Sequence, residues 1–315
     1  MIATDVGEPT EQAAESKEKM IRKLLTKPVW WWERRRSYPI RSCYLSLPPI
    51  PIEKAPVQFV VLTTPASLKD ALWTAWSWYR YLQPHKFQLQ MAVDGNTADS
   101  DVASIQKLFP GIGIYQVEPL LDGLFESWPA LSLFLRKHPL GRKLALVLAL
   151  SRQGSFLYAD HDVLAFNTPS ELITCAKEGV PCYLVEEREG NCDPAILGRC
   201  KDLGVNYISR FNSGLLYIPR GTLSLDLAAE LLARWRPSVI SWFSEQTVLS
   251  ILMRHANAKP LPKDRYVVSA CRQFYWEKDV DYRMIAARHF TGTVRHVMYR
   301  KGIPAIFRQS RQVSG

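Results

Sequence analysis

The run VQFVVLTTPASLKDALWTAWSWYRYLQPHKFQLQMAVDGN, Val57–Asn96, switches between two periodicities. Its first part, Val57–Pro65, is a β-rich apolar run ending in polar residues, as in a strand buried on both faces of a parallel sheet. Ser67 offers a helix N-cap, and Leu68, Leu72, Ala75 and Tyr79 recur at helical spacing. Lys86–Asn96 reads as a second strand ending in Asp-Gly. Downstream, Asp101–Phe109 is helical and GIGIYQVEP, Gly111–Pro119, supplies a third short strand. The order βαβαβ predicts an α/β fold, Rossmann-like, with a mostly parallel open sheet and helices on both faces. Ligands of such sheets bind at the carboxyl ends of the strands, so Thr63, Thr64 and Asp94 are pocket-edge candidates. No GxGxxG follows the first strand and no GxxxxGK[ST] occurs, which disfavours a dehydrogenase-type dinucleotide domain and a P-loop enzyme.

A helical segment, Leu124–Gly154, broken at Pro139–Gly141, leads into SFLYADHDVLAF, Ser155–Phe166. Here an apolar strand, Phe156–Ala159, ends in Asp160-His161-Asp162. Two carboxylates beside apolar flanks are costly unless neutralised. Hard oxygen ligands suit Mg²⁺ or Mn²⁺, which often share their shell with substrate phosphates. The other reading is an exposed loop with two solvated acids. Two later segments favour the metal. RFNSGLLYIPR, Arg210–Arg220, feeds Asn-Ser-Gly into an apolar strand, where Gly214 permits close backbone approach. ARHFTGTVRHVMYRKG, Ala287–Gly302, places His289 before Gly292 and Arg295. A neutral imidazole can complete a metal shell, and an arginine can pair with a diphosphate.

The strand before Asp160-His161-Asp162, the FNSGLLYI segment, the SEQTVLSIL helix start and the HFTG segment occur in the order seen in GT-A glycosyltransferases. The chain resembles the glycogenin-like and lipopolysaccharide-galactosyltransferase-like retaining enzymes over about Val57 to Gly302. The resemblance implies a GT-A fold and transfer of a sugar from a nucleoside-diphosphate sugar, UDP-sugar favoured, to an acceptor hydroxyl. It implies that Asp160, Asp162 and His289 hold the metal and that Asp160 also contacts the donor. Gly292 would lie against the donor diphosphate. Arg295 stands where the family has a lysine followed by Pro-Trp, but here His296 and Val297 follow. Asn212, Ser213 and Gly214 match a segment near donor sugar and acceptor. Glu245-Gln246 resembles an Asp-Gln pair at the reaction centre, and Lys143 matches a basic residue that helps hold the donor. Catalytic roles therefore fall to Gln246, Glu245 and Asn212. The expected reaction breaks the anomeric C–O bond, with retention favoured; inversion would need a base such as Glu245.

Around this domain, 57–302, an N-terminal extension, 1–56, and a basic C-terminal tail, 303–315, are expected. The extension begins acidic, then carries Trp30–Trp32 beside Arg34–Arg36 among prolines that exclude a long helix. This basic-aromatic stretch either packs back on the domain or makes a peripheral contact with anionic membrane. The net charge of +10 favours anionic partners, with no Asp or Glu after Asp281. A nucleic-acid-binding protein is one alternative, weakened by the acidic pair and by the lack of a helix-turn-helix or RNP motif. A nucleotidyltransferase lacks its glycine-rich signature; a catalytically inactive GT-A-like scaffold remains open through the departures at Glu245 and after Arg295. The composition, 47% hydrophobic and 22% charged, excludes disordered and fibrous classes. No apolar run is long enough to span a membrane and the N-terminus is not a secretory signal, so a cytoplasmic protein is expected. Six cysteines without CxxC spacing point to buried thiols in a reducing compartment rather than zinc. The polar stretch Glu186–Arg210 is expected to be a long acceptor-side loop.

Overall fold

The computed structural model describes residues 35, 38–121, 123–187, 189–238, 241–269 and 280–313. Trp30–Trp32, Arg34 and Arg36, and with them the membrane reading, lie outside the described residues. Strand β1, Val57–Thr63, is followed by α1, Leu68–Leu82; β2, Phe87–Val93, by α2, Asp99–Leu108; and β3 is Gly113–Gln116. Helices α3, Pro129–Lys137, and α4, Gly141–Gln153, lead to β4, Phe156–Asp160, and β5, Val163–Ala165. Then come α5, Ser170–Glu178; β6, Cys182–Val185; α6, Pro194–Asp202; and β7, Phe211–Ile218. The described chain closes with α7, Leu225–Leu232; α8, Ser244–His255; β8, Lys259–Pro260; β9, Tyr266–Ser269; and β10, Ala287–Phe290. A continuous helical run follows, ending in α9, Ile303–Val313.

The main sheet has seven strands in the order β3-β2-β1-β4-β7-β6-β8, and only β7 runs against its neighbours. Alternate residues of each strand serve two apolar layers, as the pleat requires. Phe59, Val61, Leu157 and Ala159 pack under α1 and the C-terminal run. Val60, Phe156, Tyr158 and Leu216 face α3, α4, α7 and α8. The expected α/β sheet with helices on both faces is thus formed. A second sheet, β5-β10-β9, crosses from β4 to the C-terminal part of the chain.

Two segments differ from the sequence reading. Within Glu186–Arg210 the chain is not a loop: Asp193 caps α6 by accepting from the Ala195 amide at 2.9 Å, and Ile196 and Cys200 are buried. Proline at the first helical position and an aspartate cap were the signals for it. Residues 303–313 are not a tail but the helix α9, in which Ile303, Ala305 and Ile306 are buried. The apolar periodicity there is masked by polar residues such as the exposed Arg308. Upstream of β1, the 3₁₀ helix Tyr38–Ser46 buries Arg41 and Tyr44 and lies against α1, where the Trp73 Nε1 donates to the Arg41 carbonyl at 3.0 Å. The five described cysteines, Cys43, Cys175, Cys182, Cys192 and Cys200, are free thiols. Among the described residues no helix is long and apolar enough to cross a membrane.

Ile306 is fully buried, so Ile306→Ala should cost about 2–5 kcal/mol of unfolding free energy in a denaturant titration. A loss below about 0.5 kcal/mol, the range of surface substitutions, would place α9 outside the cooperative domain.

Candidate metal and donor site

The carboxyl ends of β2, β1 and β4 lie side by side because the ladder pairs Leu62 with Asp160 and Thr63 with Val93. Asp160 ends β4 and Asp162 follows in the turn to β5. The antiparallel pairing of β5 with β10 sets Val163 opposite His289, and the Phe290 amide donates to the Asp162 carbonyl at 2.9 Å. One ladder therefore closes a gap of more than a hundred residues. His289 Nε2 lies 3.2 Å from Asp162 Oδ1 and 3.9 Å from Asp160 Oδ2.

Helix α1 holds this turn in place through polar side chains at helical spacing. Thr74 Oγ1 donates to the His161 carbonyl at 2.8 Å and Trp78 Nε1 to the Val163 carbonyl at 2.9 Å. Ser77 Oγ accepts from the Ala165 amide at 3.0 Å, and Tyr81 Oη donates to the Phe166 carbonyl at 2.6 Å. Each serves a buried backbone group that no ladder satisfies.

The His289 tautomer is set from behind. Asn212 Oδ1 accepts the Gly214 amide at 3.0 Å, and Asn212 Nδ2 donates to Glu186 Oε2 at 3.1 Å. That fixes the amide's orientation, so the 2.8 Å contact to His289 Nδ1 makes Nδ1 the donor. With Nδ1 committed to Asn212, Nε2 is the ring nitrogen that faces the two aspartates, as a metal ligand must. Gly214 makes room for the ring: a Cβ there would collide with His289 and come within 2.9 Å of Asn212 Oδ1. The close approach expected at Gly214 is thus to the imidazole.

Lys143, in the first turn of α4, is buried and donates to Asp160 Oδ2 and to Ser213 Oγ, both at 3.0 Å. Its ammonium lies 3.6 Å from Glu245 Oε1. Burial works against its charge, but Asp160 and Glu245 outweigh that and raise its pKa. Glu245, fully buried near the start of α8, accepts from Ser213 Oγ at 3.2 Å. Burial pushes its carboxyl from 4.5 to about 7, with Lys143 pulling down and Asp160 pushing up. Its neighbour Gln246 accepts from the Ser213 amide at 3.4 Å and donates to the Asn191 carbonyl at 3.3 Å.

Arg295 meets Asp162 Oδ2 through Nε at 3.1 Å and Nη2 at 2.5 Å. Burial would raise the Asp162 carboxyl, but Arg295 and His289 hold it well below the usual carboxylate range. The arginine expected to serve only the diphosphate is therefore also the aspartate's partner. Gly292 adopts φ 37° where the chain turns from β10 toward Arg295. Thr63 hydrogen-bonds Ser67 Oγ at 3.2 Å. Asp94 is tied down by Arg142 at 3.2 Å, and Arg142 also pairs with Glu118. Both sit on the edge that the fold assigns to ligands, one and two strands away from Asp160.

Sequence reasoning missed Tyr158, whose Oη donates to Asp160 Oδ1 at 2.5 Å. Strand alternation could have found it, since residues two apart share a face. It also missed Glu186, behind Asn212, and Asp193, which accepts from Ser244 Oγ at 2.5 Å and donates its amide to Thr247 Oγ1 at 2.8 Å. No local pattern marks Glu186, and Asp193 is marked only as the cap before Pro194.

Among the described residues, Asp160, Asp162 and His289 form the cluster whose ligand atoms lie within 4.8 Å of one another. One imidazole nitrogen and two carboxylate oxygens fit a divalent ion. Asp160 and Asp162, with Glu245 beside them, face the cations Lys143 and Arg295.

Solved structures share this architecture. The galactosyltransferase LgtC, in complex with donor and acceptor sugar analogues, superposes with a TM-score of 0.50 at 17% identity, covering 75% of this chain and 87% of that one. The bifunctional glycosyltransferase WbbM superposes at 0.52 with 12% identity, over 83% of this chain and 52% of that one. No protein-family model and no curated protein sequence matches the chain. The fold is that of the GT-A glycosyltransferases.

Gly214→Ala should displace His289 and weaken Mn²⁺ binding about 10–100-fold, the usual cost of disturbing a ligand's support. Electron paramagnetic resonance titration of Mn²⁺ checks this; unchanged affinity would remove His289 from the shell. Glu245 gives a pH signature. Its folded pKa of about 7 exceeds its ordinary 4.5, so the native state binds this proton more tightly. Stability should therefore fall as pH rises from about 5 to about 7.5 and level off above. Glu245→Gln should flatten that slope in urea midpoints; a slope retained in full would assign it to other groups.

Proposed function

We propose that the protein is a metal-dependent glycosyltransferase that moves a hexosyl group from a nucleoside-diphosphate sugar, UDP-sugar favoured, to an acceptor hydroxyl with retention of configuration. The observation that carries the reading is the convergence of Asp160, Asp162 and His289 at the carboxyl edge of the sheet, flanked by Lys143 and Arg295. The GT-A fold and the sugar-analogue complex of LgtC agree with it.

The hard step is breaking the anomeric C–O bond while charge builds on the departing diphosphate. A divalent ion held by Asp160, Asp162 and His289 would supply Lewis acidity to that diphosphate. Arg295 adds a fixed cation beside it, where partial burial makes each charge count for more. Lys143 holds Asp160 and Ser213 in one arrangement and so couples the ligand side of the pocket to β7. Gln246 is oriented at both ends, by the Ser213 amide and the Asn191 carbonyl, so its carbonyl oxygen is available at fixed geometry to an oxocarbenium-like carbon. With retention, the acceptor enters on the leaving-group side and the departing phosphate takes its proton. Glu245, with a pKa of about 7, carries or releases a proton near neutrality and sits one hydroxyl, Ser213 Oγ, from Lys143. Asn212 keeps the His289 proton on Nδ1.

A panel of sugar nucleotides assayed for hydrolysis with Mn²⁺ tests the reading. At least one donor should be hydrolysed, and Asp162→Asn should abolish that turnover with the fold intact. Mn²⁺ with the matching nucleoside diphosphate should raise the melting temperature, by linkage worth about 2.7 kcal/mol at a hundred times the dissociation constant. No hydrolysis and no shift with any member would leave a GT-A-like scaffold without transferase chemistry.

A further inference from the structure

Arg41 lies upstream of β1, outside the 57–302 domain, yet its side chain is 4% exposed and that of its partner Asp70 is 3% exposed. Nε donates to Asp70 Oδ1 at 2.6 Å and Nη2 to the Ala66 carbonyl at 3.0 Å. The Tyr38 ring covers the guanidinium at 4.3 Å. Asp70 stands in the first turn of α1, the helix that pins the Asp162 turn. Its second oxygen, Oδ2, accepts from Tyr299 Oη at 2.9 Å. Tyr299 is one helical turn beyond Arg295 in the same continuous run, and Arg295 grips Asp162. A line of contacts thus runs from the N-terminal segment to a candidate metal ligand.

The charges along that line compete. The Asp70 carboxylate sits in an apolar surrounding and needs a cation. Two guanidiniums interact with it: Arg41 directly, and Arg295, which feels its field from the neighbouring turn. Arg41 satisfies Asp70 at hydrogen-bond distance, which leaves Arg295 to Asp162. Without Arg41, Asp70 is a buried anion that, among the described residues, keeps Arg295 as the guanidinium within its field.

We propose that Arg41 is a positioning residue of the donor site: by neutralising Asp70 it keeps Arg295 on Asp162 and facing the diphosphate. The N-terminal segment is then a working part of the site rather than an appendage. This rests on the transferase reading, in which Arg295 meets the diphosphate.

The test measures dissociation constants for UDP and for GDP in saturating Mn²⁺, with melting temperatures alongside, on the full chain. Arg41→Met should weaken whichever nucleotide the unaltered chain binds by about tenfold to a hundredfold, the worth of one charge-assisted contact. Arg295→Met should lose a similar factor, and the double variant no more than either, because both remove the same contact. Arg41→Met with Asp70→Asn should bind nearly as the unaltered chain does, since an uncharged amide at that position has nothing with which to draw Arg295. Arg41→Lys, which keeps the charge, should also bind normally and stands in where Arg41→Met fails to fold. A lowered melting temperature with unchanged affinity in Arg41→Met would make Arg41 merely structural and overturn the proposal. So would additive losses with Arg295→Met, or weak binding that Asp70→Asn does not rescue. If the unaltered chain binds neither nucleotide, the transferase reading itself falls, and this inference with it.

Discussion

Buried negative charge organises this molecule. Asp160 and Asp162 lie at the end of an apolar strand, beside a third acid, Glu245, that is itself sealed from water. Such a concentration of carboxylates is unfavourable in a folded interior unless cations come to it. Lys143 comes from α4 and Arg295 from the start of the C-terminal helical run, while β10 brings the His289 imidazole to the same point. Each of these elements is placed by packing, but the pocket exists because their charges are reconciled there.

The placement depends on the small sheet. Without the pairing of β5 with β10, His289 would have no reason to face Asp162. Helix α1 supports that sheet from below with Thr74, Ser77, Trp78 and Tyr81, which bind the backbone of 161–166. The tryptophan-rich helix is therefore more than core filling. Its three tryptophans use their indole N–H groups to tie distant segments to it, Trp73 and Trp76 the chain upstream of β1 and Trp78 the β5 strand. This division of labour suits the amphipathic chemistry of indole.

Much of this was legible in the sequence for a physical reason. Parallel strands buried on both faces leave uninterrupted apolar runs, and Val57–Thr63 and Phe156–Ala159 are such runs. That Asp160, Asp162 and His289 come together was legible through the order of the DHD, FNSG and HFTG segments, which is the order of the resemblance. Gly214 was singled out correctly as a point of close approach, although its neighbour is a side chain of the protein. What was illegible depended on three-dimensional context. The α9 sequence mixes its apolar residues with basic and polar ones, so composition read it as a tail. Helix α6 lies within a polar stretch where charge concealed the Pro194 start and Asp193 cap. Arg295 pairs with Asp162 through a contact 133 residues apart in sequence, and no local pattern encodes that. Arg41 and Asp70 are 29 residues apart, and a lone arginine upstream of a domain gives no hint of burial.

The most direct measurement is anomalous diffraction from crystals of the protein grown with Mn²⁺ and UDP. A single manganese peak within bonding distance of Asp160, Asp162 Oδ1 and His289 Nε2, with diphosphate density between it and Arg295, is the predicted result. Manganese bound elsewhere, or a diphosphate held away from these three side chains, would contradict the account.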